Sequence, residues 1–308
     1  MCGRFSLTAS ARDVQEAFAL AGIEPFPPRY NIAPTQPVVI IARKPGEHEA
    51  GANRPDRHAV LARWGLIPAW VKDPKGFPLL INARAETAAT KASFRAAMRH
   101  RRVLVPTSGF YEWRSAKGSG EKGSGEERSG KKRSGDKRSG QKAQAFWVRP
   151  RNGGVIAFAG LLEHYLGPDG SEIDTVALLT CAARGALAAI HDRAPVVIAP
   201  ESYERWLDCR TFGPDDVASL LQPGDPDFFE AIAVSDLVNK VANTSAAIQE
   251  PLDVSAENVA GGGERDQTSR SVSSAPVSSA PVSSSAGAEP DRQENESDDP
   301  DSRQLRLL

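Results

Sequence analysis

The sequence predicts an α+β fold in which mainly antiparallel strands form a barrel-like sheet core and a few helices lie at its periphery. Eight short segments rich in Val, Ile, Leu or Phe are bounded by Gly, Pro or Asp, a pattern typical of strands. Only five segments show helical spacing of apolar residues, so strands dominate. The remaining chain is rich in loops and low-complexity sequence.

The first predicted element is a helix from Ser10 to Gly22, in which Ser10 is the N-cap and Gly22 the stop. Its apolar positions at helical spacing are Val14, Ala17, Phe18 and Ala21. The predicted strands are 37–42, 58–64, 103–108, 146–149, 154–161, 174–181, 195–198 and 231–235. The further predicted helices are 91–100, 184–191, 201–208 and 214–221.

Two segments lack the apolar side chains that a folded core requires. Residues 115–142 repeat a Gly/Ser/Lys/Arg-rich pentad, and residues 253–308 are poor in aliphatic and aromatic side chains. Neither buries enough apolar surface to offset the entropy of the chain. We therefore predict one domain over residues 1–252, interrupted by a disordered insert at 115–142, and a disordered acidic tail at 253–308. The insert lengthens one hairpin loop.

The net charge of −1 conceals an uneven distribution. The insert carries nine Lys or Arg against four acidic residues, and the tail carries eleven acidic residues against five basic ones. A near-neutral sequence of this kind does not exclude a nucleic-acid partner, because the local charge decides binding.

The cysteines at positions 2, 181 and 209 form no CxxC pair, and no His cluster at ligand spacing accompanies them. We expect neither a disulfide framework nor a metal site nor an organic cofactor. This cysteine usage fits a reducing cytoplasm, with association to the nucleoid if the chain is bacterial.

The sequence contains no apolar run long enough to span a membrane and no N-terminal signal pattern. The native N-terminus is therefore expected close to Met1.

Cys2 is the most informative residue, because methionine aminopeptidases remove Met1 when a small residue follows it. The new N-terminus would carry a thiol and a free α-amine on adjacent carbons, and an α-amine with a pKa near 8 is partly neutral at physiological pH. Such a 1,2-aminothiol forms a Schiff base with an aldehyde, and the thiol then closes a thiazolidine ring. Cysteines inside the chain lack this chemistry. The competing interpretation is a small buried residue near the terminus.

Six motifs occur in a fixed order along the chain. They are MCGRF (1–5), RYNIAPTQ (29–36), RWGLIPAW (63–70), INARAETAA (81–89), PTSGFYEWR (106–114) and IHDRAPVVI (190–198). Together they closely resemble the SOS-response-associated peptidase (SRAP) family, from Cys2 to about Lys240. The resemblance implies an SRAP-like fold and an abasic-site sensor of the DNA damage response. Such a protein binds single-stranded DNA and captures the ring-opened deoxyribose on its terminal cysteine.

The resemblance also implies the residues of the site. The catalytic set would be Cys2, Asn82, Glu112 and His191. Glu112 would relay a proton while the Schiff base forms, and His191 would assist opening of the sugar or act later as a base. Asn82 would hold the amine by hydrogen bonds.

Five residues are predicted to contact DNA. A guanidinium matches phosphate geometry, which indicates Arg4, Arg84 and Arg193 for the backbone, while Trp70 and Pro34 would stack or wedge against bases. Thr180 is expected to line the pocket, and Cys181 and Cys209 are expected to be bystanders. Structural roles compete for five of the site residues: His191 as a structural histidine, Glu112 as a salt-bridged edge residue, Asn82 as a turn cap, Arg84 paired with Glu86, and Trp70 in the core.

Two other functions remain open at the level of sequence. In a cysteine peptidase, Cys2 would attack an amide with His191 as the base. Related lyase activity would follow if the Schiff base led to β-elimination instead of ring closure. A non-covalent reader would bind modified or single-stranded DNA without using Cys2. The expected partners are abasic single-stranded DNA and replication-fork proteins, and the chain is expected to act as a monomer.

Overall fold

The computed structural model describes residues 2–43, 56–114 and 143–252. The predictions for the pentad insert and for the acidic tail lie outside the described residues. Within these ranges the predicted α+β class with a barrel-like sheet core is confirmed. No helix in these ranges is long and apolar enough to cross a membrane.

The strands account for most of the regular structure. In chain order they are β1 (Phe5–Leu7), β2 (Arg29–Ile32), β3 (Pro37–Arg43), β4 (Arg57–Trp64), β5 (Asn82–Arg84), β6 (Arg102–Thr107), β7 (Gly109–Arg114), β8 (Gln144–Pro150), β9 (Ile156–Leu166), β10 (Glu172–Ala182), β11 (Arg193–Pro195), β12 (Val197–Ile198) and β13 (Phe229–Val234). The α-helices are α1 (Ala11–Ala17), α2 (Ala85–Ala88), α3 (Arg95–His100) and α4 (Tyr203–Leu207). Short 3-10 turns are Pro74–Gly76, Gly185–Ala189, Pro200–Ser202, Ala218–Leu221, Asp236–Asn239 and Ala246–Gln249.

Five strands close into a barrel in the order β10, β4, β3, β6 and β9. The ring closes because β10 pairs in parallel with β4 on one side and antiparallel with β9 on the other. Gly160 of β9 faces this interior, where a Cβ atom would lie 2.9 Å from Val103 and 3.3 Å from Val176. A residue without a side chain is therefore required where these valines fill the barrel.

A second sheet, with the order β13, β8, β7, β1 and β2, packs against the barrel. Phe5 of β1 makes edge contacts with Trp64 and Phe158 of the barrel, at ring distances of 5.0 and 6.5 Å. Phe110 of β7 contacts Phe158 at 5.8 Å. These buried rings fix β1 and β7 on the barrel, and the two strands position Cys2 and Glu112.

Helix α1 begins as predicted but ends earlier. Ser10 and Asp13 form a capping box at its start. The helix stops at Ala17 because Ala19 has a left-handed backbone, with φ of 52°. The Leu20 N–H donates to the Gln15 carbonyl, and the Ala19 N–H donates to the Glu16 carbonyl, which together form a Schellman motif. The prediction of Gly22 as the stop was therefore wrong.

Several other predicted boundaries need correction. The segment 91–100 becomes helical only at Arg95, and the segments 184–191 and 214–221 contain short 3-10 turns instead of helices. The predicted strand 195–198 is two strands, β11 and β12, interrupted at Val196. Strands β1, β2 and β5 were not predicted, and β7 was anticipated only as the strand-like segment before the insert, without bounds.

Candidate active site

Cys2 lies just before β1 and is completely buried. Its Sγ atom is 3.8 Å from the Arg4 carbonyl oxygen. Burial raises the pKa of the Cys2 thiol, and the negative charge of Glu112 adds to this effect. The thiol is therefore protonated in the folded chain, with the Glu112 carboxyl close by.

Asn82 holds the backbone of Cys2. Its Nδ2 atom donates a hydrogen bond of 2.7 Å to the Cys2 carbonyl oxygen. Asn82 opens β5, which pairs in parallel with β10 at Leu178. Its Oδ1 atom is buried and accepts no hydrogen bond from the described residues. A buried acceptor of this kind is available to an N–H donor of a ligand or of a new N-terminus.

Glu112 contributes a buried carboxyl to the same site. It lies in the middle of β7, opposite Phe146 of β8, and only 3% of its surface is exposed. Burial raises the pKa of Glu112, and the nearby His191 partly offsets the rise. The direction of this shift suits a group that donates a proton.

His191 follows the 3-10 turn Gly185–Ala189 and is partly exposed. Its Nδ1 atom lies 2.9 Å from the backbone nitrogen of Arg193 and 3.0 Å from Oδ1 of Asp192. The Arg193 N–H can only donate, so Nδ1 acts as the acceptor and the neutral ring carries its proton on Nε2. The Asp192 side chain is largely exposed, so solvent weakens its interaction with Nδ1.

The three arginines predicted to bind phosphate have different environments. Arg4 is half-buried, and its Nη1 donates to the Asn31 side chain at 2.7 Å and to the Val238 carbonyl at 2.8 Å. Arg84 is exposed at the end of β5, next to the site. Of these two, Arg84 has the accessible guanidinium.

Arg193 is tied to the protein by the two terminal nitrogens of its guanidinium. Nη1 and Nη2 donate to the two carboxylate oxygens of Glu86, at 2.6 and 2.8 Å. Nη2 also donates to the Thr180 carbonyl. Glu86, for which pairing with Arg84 was the alternative role, binds Arg193 through both carboxylate oxygens.

Trp70 and Pro34 lie on loops. Trp70 is 59% exposed and meets the ring of Phe77 edge-on at 5.5 Å, so it is not a core residue. Pro34 is half-buried in the turn between β2 and β3, next to Thr35, whose φ is 73°. The Thr35 N–H donates to the Trp64 carbonyl at 2.7 Å, which holds this strained turn on the barrel.

A family model for SOS response associated peptidase (SRAP) proteins matches residues 1–241 of the chain. The chain belongs to the SRAP family. The chain is similar to the abasic site processing protein YoqW of Bacillus subtilis (strain 168), with 34% identity over 253 residues that cover 81% of this chain and 99% of YoqW. It is also similar to the abasic site processing protein YedK of Escherichia coli (strain K12), with 29% identity over 82% of this chain and 100% of YedK.

The SRAP fold is also found among solved structures. A crystal structure of a protein from Bacteroides thetaiotaomicron has a TM-score of 0.62 and 21% identity, and the match covers 82% of this chain and 100% of that chain. At this identity the likeness concerns the fold alone.

Two cysteines of this SRAP chain lie apart from Cys2 in the fold. Cys181 is buried in β10 and forms part of the wall of an apolar cavity of about 320 Å³, whose lining includes none of the four predicted catalytic residues. The Sγ atom of Cys209 accepts a hydrogen bond from the Arg102 N–H at 3.4 Å. Thr180, beside Cys181, is fully buried and donates to the Ala83 carbonyl.

Sequence reasoning missed several residues around the SRAP site. Asn31 accepts from Arg4 and donates to the carbonyls of Val238, Lys240 and Asn243, at distances of 3.3, 3.1 and 2.8 Å. Lys72 and Lys75 are exposed and follow Trp70 closely in the sequence, but they were not among the predicted DNA contacts. Asn31 and Glu86 both stand inside recognised motifs, but their partners are distant in sequence. The motifs identified which residues are present, but they did not predict which residues Asn31 and Glu86 contact.

Proposed function

We propose that the chain senses abasic sites in single-stranded DNA and becomes covalently linked to them through a thiazolidine ring on Cys2. The observation that carries this proposal is the grouping of Cys2 with Asn82, which binds its carbonyl, and with the buried carboxyl of Glu112. The names of the relatives, abasic site processing proteins, support the same substrate. The reaction requires a free α-amine on Cys2, so Met1 has to be removed first.

The proposed reaction balances without an oxidant or a reductant. Opening of the abasic sugar breaks the bond between C1′ and O4′, and the proton of the C1′ hydroxyl passes to O4′. The amine of Cys2 adds to the resulting aldehyde, and the adduct loses its hydroxyl as water to give an iminium ion. The thiol then adds its sulfur to the iminium carbon and releases its proton to a base. One molecule of water leaves overall.

Each site residue has a role that its environment suits. Glu112 donates the proton with which the hydroxyl leaves as water, because burial favours its acid form. Asn82 accepts a hydrogen bond from the amine of Cys2 on Oδ1, which has no partner among the described residues. His191 donates a hydrogen bond from Nε2 to O4′ as the sugar opens, which stabilises the charge on O4′ until the C1′ hydroxyl proton reaches it. The Glu112 carboxylate that remains after water has left then accepts the thiol proton.

Exposed residues would provide contacts for the DNA strand. The exposure of Arg84 supports a contact with a phosphate, and the exposed Lys72 and Lys75 follow Trp70 within five residues of the sequence. The exposed Trp70 ring offers a surface on which a base of any sequence stacks. A site that binds backbone and base faces suits a lesion sensor, because it does not depend on base identity.

The environment of Cys2 argues against the peptidase. A peptidase thiol has to be a thiolate, which requires a lowered pKa beside a cation. Here burial and the carboxyl of Glu112 raise the pKa of Cys2. The thiazolidine route avoids this difficulty, because the amine reacts before the thiol.

The test mixes the full chain with a single-stranded oligonucleotide that carries one abasic site. Undamaged DNA and a tetrahydrofuran analogue, which has no aldehyde, are the controls. We expect a denaturation-resistant band only with the abasic site, and its intact mass should equal the chain without Met1 plus DNA minus one water. Cys2→Ala should abolish this band. Cys2→Ser and Cys2→Ala both keep the α-amine, so each should give an adduct that survives denaturation only after borohydride reduction.

Two further results would contradict the mechanism. A chain with an uncleaved N-terminal extension has an amide at Cys2, and a stable adduct from it would exclude the thiazolidine. A stable adduct of equal yield from Cys2→Ala would do the same. Binding without any adduct, when the N-terminal cysteine is free, would support the non-covalent reader.

A further inference from the structure

We propose that Glu86 is a positioning residue for His191 and acts through Arg193. This inference rests on the proposed function, in which His191 donates a hydrogen bond from Nε2 to O4′, and it adds a residue outside the predicted catalytic set. Glu86 is mostly exposed and lies in the short helix α2, so a surface role is the alternative. The contacts of Arg193 favour the positioning role.

Glu86 holds Arg193 at two points. Both carboxylate oxygens of Glu86 accept from the guanidinium, and only 15% of the Arg193 side chain is exposed. The same guanidinium donates to the Thr180 carbonyl of β10. A bidentate pair on a largely buried arginine is geometrically specific, unlike most exposed ion pairs.

The contact joins the two segments that carry Asn82 and His191. Glu86 follows β5, which begins at Asn82 and pairs with β10, and Arg193 begins β11, which pairs with the other edge of β10. In register, Arg84 lies opposite Thr180 and Arg193 lies opposite Ala182. The Glu86 carboxylate therefore bridges across β10 and fixes the start of β11.

The start of β11 decides how the imidazole of His191 is protonated. Its Nδ1 has two neighbours at nearly equal distance, the Arg193 N–H at 2.9 Å and the Asp192 carboxylate at 3.0 Å. The first requires Nδ1 to be an acceptor, and the second requires a proton on Nδ1. By fixing the Arg193 backbone, Glu86 selects the first arrangement, which leaves the proton of the neutral ring on Nε2.

The test compares the full chain with Glu86→Gln, which keeps the size of the side chain and removes its charge. The matched control is Glu230→Gln, which removes an ion pair with Arg149 of 2.6 Å on β13 and β8. Nitrogen-15 NMR of the histidine rings, with His191 assigned from the spectrum of His191→Gln, reports the tautomer in protein free of DNA. Single-turnover adduct formation and the affinity for undamaged single-stranded DNA are measured in parallel.

We expect the His191 ring of the unsubstituted chain to carry its proton on Nε2, and Glu86→Gln to move population toward protonation of Nδ1. The rate of adduct formation at saturating DNA should fall about tenfold, as for a misplaced hydrogen-bond donor to the reacting oxygen, with the affinity for undamaged DNA unchanged. Glu230→Gln should alter neither quantity. Arg193→Lys, which keeps the charge but loses the fork, should reproduce the change in tautomer.

An unchanged His191 tautomer in Glu86→Gln would overturn the inference, whether or not thermal stability falls. So would tighter DNA binding with an unchanged rate, because Glu86 would then only compete with phosphate for Arg193. If the unsubstituted chain forms no adduct, the proposed function fails. The NMR comparison would still decide whether Glu86 positions His191.

Discussion

At the residue scale, the buried carboxyl of Glu112 serves the proposed reaction and opposes folding. We predict that Glu112→Gln slows adduct formation at least about 100-fold, because the amide cannot donate a proton to the leaving hydroxyl. The same substitution should raise the free energy of unfolding by about 1 kcal/mol at pH 8, a usual gain when an active-site group is replaced. Single-turnover gels and urea denaturation measure the two effects.

The pH dependence of this gain follows from the direction of the pKa shift. Burial raises the pKa of Glu112 above its usual value of 4.5. The contribution of the protonated carboxyl to stability is full below pH 4.5 and is lost as the pH rises through the folded-state pKa. The stability difference between Glu112→Gln and the unsubstituted chain should therefore shrink at pH 4. A constant difference from pH 4 to pH 8 would exclude the carboxyl as its cause.

At the element scale, the end of α1 gives a test of backbone conformation. Ala19 adopts a left-handed conformation at the position where Schellman motifs favour glycine. We predict that Ala19→Gly raises the free energy of unfolding by about 0.5 to 1 kcal/mol, because it removes the contact of Cβ with the backbone. Urea denaturation measures the change, and adduct formation should not be affected.

The control is Gly22→Ala, at the residue that the sequence predicted as the helix stop. Gly22 does not have a positive φ, and a Cβ atom there would meet nothing within 4 Å. The substitution should be neutral or slightly stabilising, because alanine restricts the unfolded chain. If Gly22→Ala lowered the free energy of unfolding and Ala19→Gly did not raise it, helix α1 would have to end at Gly22.

The elements that the sequence predicted well are those with a local signal. Continuous apolar runs marked β3, β4 and β10, and Ser10 marked the start of α1. Strand β5 has three residues, of which Asn82 and Arg84 are polar, and it exists because β10 provides its hydrogen-bonding partner. Strand β5 therefore forms because of tertiary contacts, and the local sequence pattern could not predict it.

The same distinction applies to the site. The motifs named Arg4, Arg193, Asn82 and Glu112, but a guanidinium alone does not reveal whether it will meet phosphate or protein. Asn31 lies 27 residues from Arg4, and Glu86 lies 107 residues from Arg193. Such pairs become visible only when the strands that carry them are placed next to each other.

At the scale of the whole molecule, the pentad insert stands between two strands whose pairing is already complete. The β7–β8 hairpin is in register up to the pair Arg114 and Gln144. We predict that replacing residues 115–143 by Asn-Gly, which favours a tight hairpin turn, keeps the fold and raises the free energy of unfolding by up to about 2 kcal/mol through a shorter loop. Adduct formation at saturating DNA should be unchanged.

The charge of the insert gives this deletion a second, separable effect. Its nine Lys or Arg exceed its four acidic residues, so its loss should weaken binding of single-stranded DNA at low salt and flatten the salt dependence of the affinity. An insert of equal length made of Gly and Ser separates charge from length: it should reproduce the flatter salt dependence without the gain in stability. If either variant lost adduct formation at saturating DNA, the insert would have to contact the reacting site, and its attraction of phosphate would not be its main role.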